Sequence, residues 1–109
     1  MLKKIYRLSS VRLVKQKHIR SMSFDLRFAK NNLGFPRFGF VISKKIDKSA
    51  VVRNLLKRKL SKCAEEIFDR IEGGYDFVFY PRTNSLESAQ EELKKEIEKV
   101  FIKEKILNV

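Results

Sequence analysis

The alternation of apolar and polar residues predicts strands in three places. Between Phe24 and Phe28 apolar side chains occupy every second position, which indicates a strand with one buried and one polar face. Segments 37–43 and 75–80 are rich in aromatic and aliphatic residues and are also predicted as strands. An Asn-Asn-Leu-Gly sequence separates the first two strands, so we expect them to pair as an antiparallel hairpin.

Two longer segments have the spacing of amphipathic helices. Apolar residues three and four positions apart extend over 51–71, and a Gly-Gly pair follows them. A final helix is predicted from an N-cap at Asn84 or Ser85 to about residue 105, and a short helix is predicted over 8–16. The apolar stripe of the final helix consists of Leu86, Ala89, Leu93, Ile97, Val100 and Phe101.

The composition indicates a single folded domain. The chain has 109 residues, of which 43% are apolar and 11% aromatic, enough for one modest core and unlike a disordered basic tail. No repeat or low-complexity linker divides it. It also lacks an apolar run long enough for a signal peptide or a membrane span, so we expect a cytoplasmic protein.

The positive charge is concentrated in the first part of the chain. The net charge is +12, and residues 1–62 contain 18 Lys and Arg against only Asp25 and Asp47. Residues 63–109 contain 7 basic and 11 acidic residues, with Glu and Lys interleaved along the final helix as on a solvated surface. The basic half therefore predicts a polyanionic partner, and nucleic acid is the first hypothesis.

The helix at 51–71 separates its apolar and basic residues by face. At about 100° per residue, Val52, Leu56, Leu60, Cys63 and Ile67 fall on one side, and this side is expected to pack on the sheet. The outer side carries Arg53, Asn54, Lys57, Arg58, Ser61 and Lys62. No acid alternates with these cations, so they repel one another unless an anion such as a phosphate backbone binds them.

Two reactive residue types occur once each. Cys63 cannot form an intrachain disulfide and is expected to be a small apolar residue on the buried helix face. His18 has no neighbouring ligand cluster, so we expect it at the surface or facing RNA and not on a metal.

The central sequence resembles the signature of the protein subunit of bacterial ribonuclease P. The resemblance is carried by the run from Phe38 to Lys45, the Ala50-Val51-Val52-Arg53-Asn54 segment and the Lys57-Arg58 pair. It extends from about Phe24 to Phe101 and includes the Gly-Tyr-Asp strand and the Arg82 that follows it. We therefore take residues 1–109 as a single RNA-binding domain of this type.

The resemblance implies both a fold and an activity. The fold is α+β, a four-stranded mixed sheet packed with helices and containing a left-handed β-α-β crossover, whereas right-handed crossovers are the general rule. The activity is that of an endoribonuclease, which removes the 5′ leader from precursor tRNA by phosphodiester hydrolysis. The resemblance further implies that the RNA subunit is the catalyst and that the protein is not.

The residues agree with a non-catalytic role. The basic half offers only Asp25, Asp47 and His18 for metal binding or acid–base chemistry. Mg²⁺ is therefore expected on the RNA subunit, and no catalytic or metal-binding side chain is assigned to the protein. The expected partners are ribonuclease P RNA and the precursor tRNA leader, with no membrane and no protein partner.

The candidate RNA-binding residues lie at the end of the second strand and on the following helix. They are Lys44, Lys45, Lys48, Arg53, Asn54, Lys57, Arg58 and Lys62. Candidate leader contacts are Arg27, Phe24, Phe28 and Arg82, together with Phe79 or Tyr80 if these rings face the cleft. Core packing is the favoured interpretation of each aromatic residue.

Three features differ from the family pattern. Leu55 and Ser61 replace Arg residues that the family usually has, and Lys59 and Lys62 are the cations that would compensate. The connection over 46–50 is one residue longer than usual. In the N-terminal region, Val11 and Lys15 stand where the family commonly has two Phe residues that line the leader cleft.

Two other classes of protein have similar patterns. A ribosomal or general RNA-binding protein has the same charge asymmetry and differs in lacking this order of motifs. A membrane-surface protein also uses a basic amphipathic helix, but it needs apolar residues free to insert. Here the apolar arc of the basic helix is required by the sheet.

Overall fold

The fold is given by a computed structural model, which describes residues 2–8, 13 and 15–107. The strands are β1 (Lys17–Arg20), β2 (Phe24–Lys30), β3 (Arg37–Phe40) and β4 (Tyr75–Pro81). The helices are α1 (Ala50–Ile67) and α2 (Gln90–Lys103). Short 3₁₀ turns cover Lys4–Tyr6, Phe68–Arg70 and Thr83–Leu86.

The described strands form one mixed sheet in the order β1-β2-β4-β3. β4 is antiparallel to β2 and parallel to β3, and α1 makes the connection between the two parallel strands. The predicted four-stranded mixed α+β architecture is confirmed. The central strand is β4, whose sequence YDFVFYP is buried at most positions, because it pairs with a strand on each side and packs against the helices on one face.

The predicted hairpin between the strands at 24–28 and 37–43 is wrong. β4 lies between them, with Val78 opposite Arg27 on one side and Gly39 on the other. The actual hairpin is β1–β2, where Ser21 N donates to Phe24 O at 2.9 Å. β1 itself was not predicted, because this edge strand has three exposed residues and only Ile19 turned toward the core.

The core lies between the sheet and the two helices, which pack side by side on one face of the sheet. Phe77 stacks on Phe38 at 5.4 Å and on Phe101 of α2 at 4.8 Å. From α1, the predicted apolar residues Leu56, Leu60, Cys63 and Ile67 join the same core, as does Ala64. The described core is therefore a two-layer arrangement of sheet and helices.

The predicted ends of the helices require correction. α1 ends at Ile67 and not at residue 71, because the chain tightens into the 3₁₀ turn at Phe68–Arg70. α2 begins after Ala89, whose N–H donates to Glu92 Oε1 at 3.2 Å. The two predicted N-cap residues lie in the 3₁₀ turn at Thr83–Leu86 and do not cap α2. Asn84 Nδ2 donates to Met22 O, and Ser85 Oγ donates to Arg82 O.

The predicted helix at 8–16 lies largely outside the described residues. Lys15, which is described, has a φ of 55° and precedes β1 directly. This left-handed conformation is incompatible with a right-handed helix continuing through Lys15.

A buried polar cluster fixes the loop between β2 and β3. Arg37 forms two parallel hydrogen bonds with the Asp76 carboxylate, at 2.9 and 2.8 Å, and Asn31 Nδ2 donates to the same carboxylate at 2.9 Å. The hydrogen bond from Arg37 to Asp76 raises the pKa of the Arg37 guanidinium above its ordinary value. Asp76 of β4 is therefore buried with its charge paired by Arg37.

Candidate nucleic-acid interface

A short polar loop directs the basic segment away from the sheet. After β3, Ser43 Oγ accepts from Lys45 N at 3.1 Å, and Asp47 Oδ1 accepts from Ser49 N at 2.7 Å. Ser49 is the N-cap of α1, and its Oγ accepts from Val52 N at 3.3 Å. The acid in this loop therefore shapes the backbone while the lysines point outward.

The loop and the outer side of α1 form one basic surface. We define the basic surface as Lys44, Lys45, Lys48, Arg53, Asn54, Lys57, Arg58 and Lys62. All of these residues are exposed except Arg53, which is half-buried. None of the seven cations forms an ion pair with any residue that the structure describes.

The start of α1 strengthens the field of these cations. The free N–H groups of a helix N-terminus carry partial positive charge, and the first turn of α1 contains no acidic residue to offset it. Lys44, Lys45 and Lys48 precede this turn in the connecting loop. The arrangement favours an anion with several negative charges, such as a phosphodiester backbone.

A shallow cavity of about 200 Å³ opens beside Arg53. It is lined by Phe40, Ile42, Ala50, Arg53, Asn54 and Lys57. The Nε atom of Arg53 is buried and has no hydrogen-bond partner among the described residues. An unpaired buried donor is costly, and an outside acceptor reaches this N–H only if the Arg53 side chain moves toward the cavity.

Two neighbouring positions on α1 do not belong to the basic surface. Ser61, expected on the outer side, is buried with 3% of its surface exposed. Lys59 is not a free cation either, because its Nζ donates to the carbonyl oxygens of Ser85, Leu86 and Ser88 at 3.2, 3.4 and 2.8 Å. Of the two lysines expected to compensate for Leu55 and Ser61, only Lys62 is exposed.

The candidate leader residue Arg27 lies on the face of the sheet opposite the helices. Its guanidinium is stacked over the Tyr80 ring, 4.9 Å from the ring centroid, and His18 is its register partner on β1. A guanidinium on an aromatic ring beside a histidine is a surface on which a nucleobase can stack. The contact between Arg27 and Tyr80 depends on the pairing of β2 with β4, and that with His18 depends on β1; neither pairing could be predicted from the residue pattern.

Arg82 is held by the protein. Its Nη2 donates to Asp25 Oδ1 and its Nε donates to Ser21 O at 3.2 Å. His18 and Arg20 also lie 4.0 Å from Asp25. Asp25 thus collects three basic side chains at one corner of the sheet, and Arg82 is partly neutralised there.

The aromatic residues proposed for leader stacking belong mainly to the core. Phe24 and Phe79 are 0% and 1% exposed and pack on each other at 5.3 Å, so neither ring can reach RNA in this conformation. The core interpretation is therefore confirmed for both. Phe28 also belongs to the core but has 7% of its surface exposed, and Tyr80 is half-buried on the opposite face.

The remaining reactive side chain singled out by the sequence is Cys63, on the buried face of α1. Cys63 is buried, its Sγ donates to Gln90 O at 3.6 Å, and burial raises the pKa of the thiol to about 11. Within the described ranges, no three His, Cys, Asp or Glu side chains come together as metal ligands. None of the described helices is long and apolar enough to cross a membrane.

Comparison with known sequences identifies similar proteins. A family model described as Ribonuclease P matches residues 2–105. The ribonuclease P protein component of a Thermoanaerobacter strain is 34% identical over 87 residues, covering 80% of this chain and 74% of that protein. The protein of the same description from Bacillus cereus is 45% identical over 65 residues, covering 60% of this chain and 56% of the other.

Solved structures have the same fold. The RNase P protein of Staphylococcus aureus, solved at 2.0 Å, superposes with a TM-score of 0.82 at 22% identity, covering 96% of this chain and all of the other. The Thermotoga maritima RNase P protein gives a TM-score of 0.73 at 24% identity, with 79% and 81% of the two chains covered.

Proposed function

The chain belongs to the ribonuclease P protein family, and we propose that it acts as the RNA-binding protein subunit of a ribonuclease P holoenzyme. In this role the basic surface binds the RNA subunit, and the holoenzyme removes the 5′ leader from precursor tRNA. The protein contributes binding and orientation, and the RNA subunit supplies catalysis.

The observation that carries this proposal is the uncompensated charge of the basic surface. Seven cations lie together on a rigid helix and its preceding loop, without an ion pair in the described part of the chain. Several cations elsewhere are paired, such as Arg70 with Glu98 at 2.7 Å and Arg37 with Asp76 at 2.8 Å. Seven neighbouring cations without an ion pair to a described residue make a continuous positive surface, which is suited to an external polyanion.

The leader is proposed to run across the face of the sheet that carries Arg27 and Tyr80. The half-buried ring of Tyr80 and the guanidinium of Arg27 stack against an unstacked base, and His18 and Arg20 lie beside them for the backbone. Mg²⁺ is proposed to be bound by phosphates of the RNA subunit. The protein lowers the Mg²⁺ requirement because its cations screen the repulsion between the two RNAs.

Reconstitution tests the proposal. The purified protein, ribonuclease P RNA and a 5′-labelled precursor tRNA are combined over a series of Mg²⁺ concentrations, and each component is also assayed alone. We expect no cleavage by the protein alone, and cleavage by the RNA at a lower Mg²⁺ concentration when the protein is present. RNA-free cleavage by the protein would disprove the non-catalytic assignment.

A competition between two RNAs distinguishes this proposal from a general RNA-binding function. Binding to ribonuclease P RNA and to a ribosomal RNA fragment of equal length is compared at moderate salt. We expect selective binding to ribonuclease P RNA. Equal affinity for both RNAs, combined with no stimulation of cleavage, would instead support a general RNA-binding protein.

A further inference from the structure

A second groove lies at the other end of the sheet from the basic surface. It has a volume of about 720 Å³, and its lining includes Lys15, Lys17, Lys30, Phe28, Tyr75 and Glu104. We call it the Tyr75 groove. A smaller hollow shares Lys30, Asn32 and Tyr75 with it, so Tyr75 lines two open spaces.

The sheet register explains why these side chains meet. Lys17 is opposite Phe28, and Lys30 is opposite Tyr75, so all four belong to the face on which the helices pack. α2 ends at Lys103, and Glu104 at its end reaches the groove. The helices therefore do not cover this corner of the sheet, and the edges of Phe28 and Tyr75 remain accessible from the groove.

The groove combines aromatic surface with unpaired cations. Phe28 and Tyr75 pack edge to face with their ring centroids 6.0 Å apart. Lys15 and Lys30 are exposed and form no ion pair with a described residue, whereas Lys17 Nζ is paired with Glu104 Oε1 at 2.7 Å. Aromatic rings beside free lysines are the combination that binds single-stranded nucleic acid.

We propose that the Tyr75 groove binds one unstacked nucleotide of single-stranded RNA. The base lies against Tyr75 and the edge of Phe28, and its phosphate contacts Lys15 and Lys30. The volume is within the range of small-ligand pockets and accommodates a nucleotide. This inference rests on the proposed function only in that RNA is the partner.

Glu104 gives the groove a direction. Its carboxylate is paired with Lys17 and repels a phosphate, so the backbone is expected on the side of Lys15 and Lys30. Removing this negative charge without changing the shape of the side chain strengthens the attraction for phosphate. Glu104→Gln is therefore expected to bind RNA more tightly, which a purely structural ion pair would not predict.

The test follows the groove and the basic surface separately in one titration. Amide resonances of the full-length protein are recorded by NMR while hexaadenylate is added, and dissociation constants are fitted residue by residue. Lys30, Asn32 and Tyr75 report on the groove, and Asn54 and Lys57 report on the basic surface.

We expect the chemical shifts of the groove amides to saturate, with a dissociation constant that differs from the one fitted at the basic surface. Tyr75→Leu keeps an apolar side chain but loses the stacking ring, and should weaken binding at the groove about tenfold. Tyr75→Phe should keep the wild-type affinity. Lys30→Gln should reduce the slope of log affinity against log salt by about 0.7, and Glu104→Gln should tighten binding by about threefold.

The outcomes distinguish this inference from the proposed function. Shifts confined to Asn54 and Lys57, with the groove amides unchanged at saturation, would refute the groove and leave the basic surface intact. Equal binding by the Leu and Phe variants at position 75 would also refute it. In Arg58→Ala the groove affinity should persist while that of the basic surface falls, so each site can fail alone.

Discussion

The strongest quantitative prediction concerns Arg58 on the basic surface. Arg58 is exposed and has no ion pair in the described chain, so its whole charge is available to RNA. Arg58→Ala removes about one phosphate contact and should reduce the slope of log affinity against log salt by roughly 0.7–0.9. If all seven cations contact phosphate, the wild-type slope from this surface is about 5–6.

The effect on affinity follows from the same contact. A hydrogen bond to a charged group contributes about 1.5–3 kcal/mol, and solvent exposure places Arg58 near or below the lower end. We expect binding about 5- to 15-fold weaker at low salt. Between about 50 and 200 mM salt the deficit should shrink about threefold, because fewer counterions are released by the variant.

Fluorescence anisotropy with labelled ribonuclease P RNA at several salt concentrations measures both quantities. Arg58→Lys keeps the charge and should restore the slope, but it should restore the affinity only partly because the planar fork is lost. Lys94→Ala is the control, since Lys94 lies 3.7 Å from Glu66 and its charge is locally balanced. A larger loss from Lys94→Ala than from Arg58→Ala would place the RNA-binding surface elsewhere.

Three other results are expected. Lys59→Met should lower the thermal midpoint by several degrees without changing the salt slope of RNA binding, because its ammonium binds backbone carbonyls; a reduced slope would show that Lys59 contacts RNA. Sulfate should raise the melting temperature more than chloride at matched ionic strength, since it binds the unpaired cations; equal midpoints in scanning calorimetry would contradict this. Cys63 should resist iodoacetamide at pH 8 until the protein unfolds. Because its folded pKa is raised to about 11, the stability linked to the neutral thiol is present below pH 9 and is lost between about pH 9 and 11, which denaturant titrations of wild type and Cys63→Ala would detect.

Much of the fold follows from local pattern, and the errors have tertiary causes. Periodicity correctly indicates β2, β4, α1 and the body of α2, because each buries a face of regular spacing. It could not show that β4 enters between β2 and β3, since strand order depends on contacts distant in sequence. β1 has one inward apolar residue, Ile19, which is too weak a signal for a strand.

The residues of the candidate site could be predicted from the sequence where the position of their charge was sufficient to identify them. The seven cations of the basic surface are on an exposed loop and helix face, as their spacing indicates. Lys59 and Ser61 could not be distinguished from these cations by sequence. The ammonium of Lys59 is bound by a backbone carbonyl of the turn at Thr83–Leu86, and Ser61 is buried; both facts depend on the tertiary structure. The Tyr75 groove likewise depends on where α2 ends.

The position of β4 also bears on the order of synthesis. β3 ends at Phe40, and its strand neighbour β4 begins only at Tyr75, after the whole basic helix. A growing chain that has emerged through α1 can pair β1 with β2 and Arg7 with Phe38, but neither β2 nor β3 has yet met β4. Contacts between segments distant in sequence, such as β3 with β4, form slowly. All the cations of the basic surface are therefore synthesised before the sheet that supports their helix can close. During that interval the nascent chain presents its positive charge to the surrounding RNA without a completed fold.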